Sequence, residues 1–130
     1  MIEVLLDRVD IALRASGLLA DYETQLHSWD DSEQTRASRI MVLRKTGDGP
    51  SDVLVQQLDV GVLLIGEAGK PSDLANLAGS LVRHVRLGAD VAATEGLSIL
   101  EVVSPARSPS QLRDGRPFCE ITLRAYCEDM

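Results

Sequence analysis

The longest stretch of alternating apolar residues, residues 52–66 (DVLVQQLDVGVLLIG), limits the possible fold most strongly. Side chains alternate between the two faces of a strand, so residues of one parity share a face. The parity predicted to face the core comprises Leu54, Leu58, Val60, Val62 and Leu64. The parity predicted to face outward, or towards another subunit, includes the apolar residues Val53, Val55, Leu63 and Ile65. Apolar side chains on that outward face would need partners, which indicates an assembly interface.

A second strand is predicted immediately before this stretch. Residues 38–46 (SRIMVLRKT) are rich in β-branched and large apolar residues, which favour strands. The sequence GDGP at residues 47–50 is a turn signal. Two strands joined by such a turn predict a β-hairpin.

Two amphipathic helices are predicted from apolar residues at helical spacing. The first covers residues 2–16, and Ser16-Gly17 fits its C-terminal stop. The second covers residues 72–87, with Ser72 as the N-cap and Gly88 as the glycine that ends the helix. Each helix has one apolar stripe, with which it is expected to pack on the sheet.

Three further strands complete the predicted order. A short strand is predicted within residues 24–29 and is followed by a polar loop at 30–36. The last two strands are predicted at residues 98–104 and 117–127. The order α-β-β-β-α-β-β, with hairpin-linked strands, favours a mainly antiparallel sheet with both helices packed on one face, an α+β fold. A chain of 130 residues suits a single domain spanning residues 1–130.

The segment between the last two strands, residues 104–118 (SPARSPSQLRDGRPF), is basic in an acidic chain. Because it joins two strong strands, it is predicted to be a long hairpin loop rather than an interdomain linker, and such loops are often functional. Its arginines could hold phosphate or a carboxylate surface. A protein contact is favoured over nucleic acid, since the chain is net acidic and Phe118, at the edge of the loop, is the loop's one aromatic residue for stacking on bases. The candidate contact residues are Arg107, Arg113 and Arg116.

The charge balance excludes a broad DNA-binding surface. The chain has 13 basic and 20 acidic residues, a formal net charge of −7, whereas phosphate contacts dominate affinity for duplex DNA. No apolar run approaches the ~18–20 residues that span a bilayer. The N-terminal residues lack the basic segment of a signal peptide. Cys119 and Cys127 lie on one predicted strand, roughly 26 Å apart, so both are expected to be reduced thiols.

No catalytic constellation emerges from the residue patterns. His27 and His84 lie far apart in the sequence, and neither has the spacing of metal ligands around it. The sequence has no Gly-x-Ser-x-Gly motif and no cysteine near a plausible histidine. GEAGK at residues 66–70 departs from the P-loop pattern and predicts a strand-to-helix turn. The expectation is a protein that is not an enzyme and that binds neither a cofactor nor a metal.

Four segments together resemble a known family. They are the N-terminal amphipathic helix, the hairpin RIMVLRKTGDGPSDVLVQQLDVGVLLIGE, the helix that begins PSDLANLAGSLV, and the closing strand GRPFCEITLRAYCE. In order and length these segments resemble the tail terminator, or tail completion, proteins of long-tailed, lambda-like phages and prophages. The resemblance covers nearly the whole chain and is one of pattern, with no catalytic motif.

The resemblance implies a structural function. Such proteins form hexameric rings that bind the end of the tail tube, stop its polymerisation and present the surface that joins the head. The implied partners are further copies of the chain, the tail tube protein and the head–tail connector protein, with no membrane and no specific nucleic-acid binding. The implied location is the head-proximal end of the virion tail, after assembly in the bacterial cytoplasm. A head–tail connector and a small nucleic-acid-binding module remain as alternatives.

Overall fold

The computed structural model describes residues 2–27, 39–51, 55–88 and 97–128. The helices and strands within these ranges are α1 (Ile2–Arg14), β1 (Tyr22–Leu26), β2 (Arg39–Ser51), β3 (Val55–Ile65), α2 (Pro71–Leu87), β4 (Leu97–Ser104), β5 (Ser110–Gln111) and β6 (Pro117–Glu128). The predicted order is confirmed, with the two-residue strand β5 added inside the last loop. The predicted polar loop at 30–36 lies outside the described residues.

The described strands form one sheet in the order β1-β2-β3-β6-β4, and β5 pairs with the beginning of β6. The pairing of β1 with β2 is parallel, and the other pairings are antiparallel. The predicted hairpin of β2 and β3 is confirmed, as is the final hairpin of β4 and β6. The sheet is therefore mainly antiparallel, as the hairpin-linked strands predict.

Both helices pack on one face of the sheet and share one apolar core with it. The predicted inward parity of β3 is confirmed for Leu58, Val60, Val62 and Leu64, while Leu54 lies outside the described residues. The inward residues of β6 are Cys119, Ile121, Leu123 and Ala125. Burying aliphatic side chains of this size stabilises a fold by about 1.5–3 kcal/mol each. The core can therefore be built with 3% aromatic residues in the sequence.

The predicted turn at residues 47–50 is wrong. Strand β2 continues through this segment, where Gly47 pairs with Asp59 and Asp48 pairs with Leu58. Irregularities interrupt the register between Lys45 and Gly47 and again after Asp48. The physical reason is that glycine in a strand also serves at a bulge, where an extra residue is accommodated while the ladder continues.

The predicted N-cap of the second helix is also wrong. Lys70 occupies the N-cap position without a side-chain capping bond, and Pro71 begins the helix before Ser72. Proline is favoured at the first helical position because it has no N–H to leave unsatisfied there. At the other end Gly88 has φ +73° and its N–H donates to the carbonyl of Val85, which confirms the predicted C-terminal glycine.

Candidate assembly surface

The loop from β4 to β6 contains ordered structure in its second half. Ser110 pairs with Phe118 and Gln111 with Pro117, so β5 extends the sheet beside β6. The Leu112 N–H donates to the Arg116 carbonyl at 2.8 Å, and the Gly115 N–H donates to the Leu112 carbonyl at 3.0 Å. The second half is therefore a small hairpin closed by a tight turn.

Arg116 lies inside this small hairpin. It is only 4% exposed, although arginine is rarely buried. Its Nη2 lies 2.7 Å from Asp114 Oδ2, and its Nε donates to the same oxygen at 2.9 Å. The Arg116 N–H also donates to Asp114 Oδ1 at 3.1 Å. The Arg116 guanidinium thus stabilises its own loop. The sequence had instead predicted that this arginine contacts another protein.

Arg107 and Arg113 lie on the surface instead. Both side chains are exposed, and neither forms an ion pair within the described part of the chain. Arg107 lines a groove beside α2, whereas Arg113 lies in the turn of the small hairpin. The three arginines of the loop therefore divide into one buried residue and two exposed ones.

The groove beside α2 encloses about 350 Å³. Its α2 side is formed by small and apolar residues, including Gly79 and Val82, and its other side by residues 105–108. Arg86 of α2 and Arg107 of the loop both line it. This groove was not among the sequence predictions. Gly79 is the residue that could have indicated it, because glycine is unfavourable in the middle of a helix.

The sheet face opposite the helices carries a second apolar cluster. Ile40, Val42 and Ile65 are buried in it, and Leu112 and Phe118 from the loop and β6 pack against them. Ile65 was predicted to need a partner subunit, yet it is 0% exposed because its own chain covers it. Leu63 is half-buried beside this cluster. Val53 and the side chain of Val55 lie outside the described residues.

A cleft of about 310 Å³ lies beside this cluster on the same sheet face. Leu63 and Phe118 contribute its apolar wall, and Arg44 and Glu120 line it as an ion pair at 2.7 Å. Between these charges lies Gly61, where an added Cβ would approach the Thr46 methyl carbon to 2.8 Å. Only glycine fits at this point without a shift of its neighbours.

Further along this face, charged and polar side chains pair across strands. Arg124 on β6 and Asp59 on β3 are direct register partners, and Arg124 Nε donates to Asp59 Oδ1 at 2.9 Å. The Tyr126 hydroxyl donates to Glu101 Oε1 at 3.2 Å. Cross-strand pairs of opposite charge stabilise a sheet modestly. This part of the face is therefore polar, unlike the apolar cluster beside it.

The segment at residues 66–70 forms the predicted strand-to-helix turn, with Gly69 at φ +78°. Its charges are already paired. Arg39 lies 3.0 Å from Glu67, and Lys70 Nζ lies 3.4 Å from the same carboxylate. The hydrogen bond from Arg39, with a smaller contribution from Lys70, lowers the pKa of Glu67. A phosphate group would compete there with Glu67 for both cations.

The described residues offer little for catalysis. No group of three or more metal-ligating side chains is assembled within them. Cys119 is a buried free thiol, and burial raises its pKa to about 11, so its reactive thiolate form is scarce at neutral pH. No helix in the described ranges has the length and apolar character needed to cross a bilayer.

Comparison with known proteins gives one result. A family model described as phage tail termination protein matches residues 2–129. No curated protein matches the chain. Because the match covers nearly the whole sequence, the chain belongs to this family, and the resemblance stated from the sequence is confirmed. Membership implies a place in the virion tail and interaction with other tail components.

Proposed function

We propose that the protein terminates phage tails as a ring-forming structural protein. In this proposal copies of the chain, six per ring, bind the end of the tail tube and stop its polymerisation. The ring then presents the surface to which the head–tail connector protein binds. The observation that carries the proposal is the family match over residues 2–129.

The surface chemistry supports this function. Two grooves of about 310 and 350 Å³ lie open on different sides of the protein, and both combine apolar walls with arginine at the rim. Arginine and partly apolar surface are typical of protein interfaces. The formal net charge of −7 disfavours tight binding to the DNA that passes through an assembled tail. The proposed function is structural, without catalysis or a cofactor, at the head-proximal end of the tail after assembly in the host cytoplasm.

Tube polymerisation in vitro tests the proposal. Purified tail tube protein is polymerised with and without the protein, and tube lengths are measured by electron microscopy. Termination predicts that lengths stop increasing once each tube end is occupied, with extra density at one end. An unrelated acidic protein of similar size is the control. Unchanged tube growth, with no density at the ends, would contradict the proposal.

A head-joining assay separates termination from the connector alternative. A protein that acts only as a connector would leave tube length unchanged and would still be needed for heads to attach. A terminator is expected to limit tube length before any head is added. Mixing capped and uncapped tubes with heads then measures whether the cap is required for joining.

A further inference from the structure

Two uncovered surfaces lie at opposite ends of the sheet. Helix α1 contacts β1 and β2, whereas α2 contacts chiefly β6 and β4. Arg14, at the end of α1, donates to the carbonyls of Leu19 and Tyr22 at 3.0 and 2.7 Å, which holds α1 at the β1 end. Four strand spacings separate β1 from β4, a distance of roughly 19 Å. One copy of the chain cannot bring these two ends together.

The first surface is the outer side of α1, which we call the α1 stripe: Val4, Asp7 and Ile11. These residues are spaced so that they share one side of the helix. Val4 is 44% exposed and Ile11 is 58% exposed. Asp7 is exposed between them, and it forms no ion pair within the described part of the chain. The α1 stripe is therefore apolar at both ends and acidic in the middle.

The second surface is the α2 groove, lined by Ala75, Gly79, Arg86, Ala106 and Arg107. A Cβ atom built on Gly79 would meet nothing within 4 Å, so no packing among the described residues requires glycine there. Glycine is among the poorest helix formers, and its use in the middle of α2 leaves room there for the close approach of another backbone. Arg86 and Arg107 are exposed without an ion pair inside the described ranges.

The two surfaces are complementary in side-chain size and in charge. The α1 stripe presents apolar Val4 and Ile11 on either side of acidic Asp7, and the groove offers small side chains together with two exposed arginines. Two copies that each carry a formal charge of −7 repel on most of their surface, so a contact of opposite sign is favoured.

We propose that the α1 stripe of one copy docks in the α2 groove of a second copy of this chain. The contact joins two different patches at opposite ends of the protein, so it repeats head to tail and can close into a ring. It rests on the proposed ring function and specifies which surfaces hold the ring together.

Disulfide cross-linking tests this contact directly. Ile11→Cys and Gly79→Cys are made as separate variants with Cys127→Ser, while buried Cys119 is kept. The mixed variants are oxidised both on tube ends and in concentrated solution without tubes. A disulfide requires Cα atoms within about 7 Å, so a linked dimer is expected only in the mixture. A chain that carries both cysteines is expected to give a ladder of linked oligomers.

Matched controls keep the test specific. Asn76→Cys is exposed on the same helix outside the groove, and it is expected not to cross-link to Ile11→Cys. Asp7→Arg is expected to reduce the cross-link yield about tenfold, and Arg86→Asp with Arg107→Asp in the same chain is expected to restore it. Arg83→Asp with Arg113→Asp in the same chain, two exposed arginines outside the groove and the same total change of charge, is expected to restore nothing.

The outcomes separate the contact from the proposed function. If the mixture forms no dimer in either setting, or Asn76→Cys links as well as Gly79→Cys, the contact is overturned. If mixtures that form no dimer still cap tubes, the proposed contact is refuted and the proposed termination function is retained. If the mixed dimer forms but the unmodified protein leaves tube growth unchanged, the contact is supported and the proposed function is refuted.

Discussion

Replacing Gly79 with Ala is expected to stabilise the free protein. Gly79 lies within α2, and its added Cβ would meet nothing within 4 Å. The change in the free energy of unfolding therefore includes neither a clash nor new burial. It consists of the difference in helix propensity between alanine and glycine, about 1 kcal/mol. For 130 residues, unfolding entropy of about 2.1 cal/mol/K per residue gives roughly 270 cal/mol/K, so the melting temperature should rise by about 4 °C.

Gly88 offers a control with the opposite sign. A Cβ there would also meet nothing within 4 Å, but the backbone has φ +73° at the end of α2. Alanine is strained in this left-handed conformation, so Gly88→Ala is expected to destabilise the protein by about 1 kcal/mol. The two variants add the same methyl group to open space, and only the backbone conformation differs.

Urea unfolding followed by circular dichroism, at concentrations that give no oligomers, measures both changes. The slope with urea is expected to stay constant, so the midpoints report stability directly. A midpoint that falls for Gly79→Ala, or rises for Gly88→Ala, would refute the reasoning. For the bulkier Gly79→Leu, the proposed contact further predicts weaker capping of tubes from a protein that remains folded, since the larger side chain fills the groove.

Three further predictions follow from burial and ionisation. Arg116→Ala is expected to lower the free energy of unfolding by about 1–2 kcal/mol, because it removes a buried guanidinium and its ion pair with exposed Asp114. Exposed Arg107→Ala should stay within about 0.5 kcal/mol, and equal losses in urea melts would contradict the burial of Arg116. Leu64→Ala is expected to lose about 2–5 kcal/mol because its side chain is fully buried; half-buried Leu63→Ala should lose less, and the reverse order would count against the assigned faces. Burial raises the pKa of Cys119 from 9.0 to about 11, so the unfolded chain loses this proton first and stability should fall as pH rises from 9 to 11. Cys119→Ala should flatten that fall, and an identical alkaline decline in both proteins would be evidence against it.

The inward parity of β3 was predictable because Gln57, Asp59 and Gly61 occupy the other parity of the strand. A one-residue slip would move Val60 and Val62 to the opposite face, so the alternation specifies the face on its own. The helices were predictable for the same reason, since their apolar stripes repeat every three or four residues. Both predictions rest on periodicity, which can be read from the sequence without knowing which distant residues lie nearby.

Single residues that are typical of turns and helix caps predicted the structure less reliably than periodicity did. Gly47 fits a turn and a bulge equally well, and its pairing with Asp59 decided between them. Ser72 fits an N-cap, but Pro71 can begin a helix itself and takes precedence. In both cases a neighbouring backbone or residue settled a choice that the short motif left open.

The candidate contact residues depended most on the tertiary structure. Ile65 has the outward parity that the sequence predicts, but Leu112 and Phe118 from a distant segment cover it. Arg116 and Arg107 are chemically identical in the sequence, and only the turn around Asp114 buries one of them. Burial that arises from a loop folding back on the sheet has no periodic signal to reveal it.

The basic loop therefore divides into halves with different capacities for contact. Its second half is held by the pairing of β5, by the Arg116–Asp114 ion pair and by Leu112 packed over the sheet. These groups already contact one another inside the protein, so a partner would have to displace those contacts to bind there. The first half lies along the α2 groove and leaves Arg107 exposed. If the loop contributes to assembly, the effect of Arg107 should consequently be seen in binding, whereas that of Arg116 should be seen first in stability.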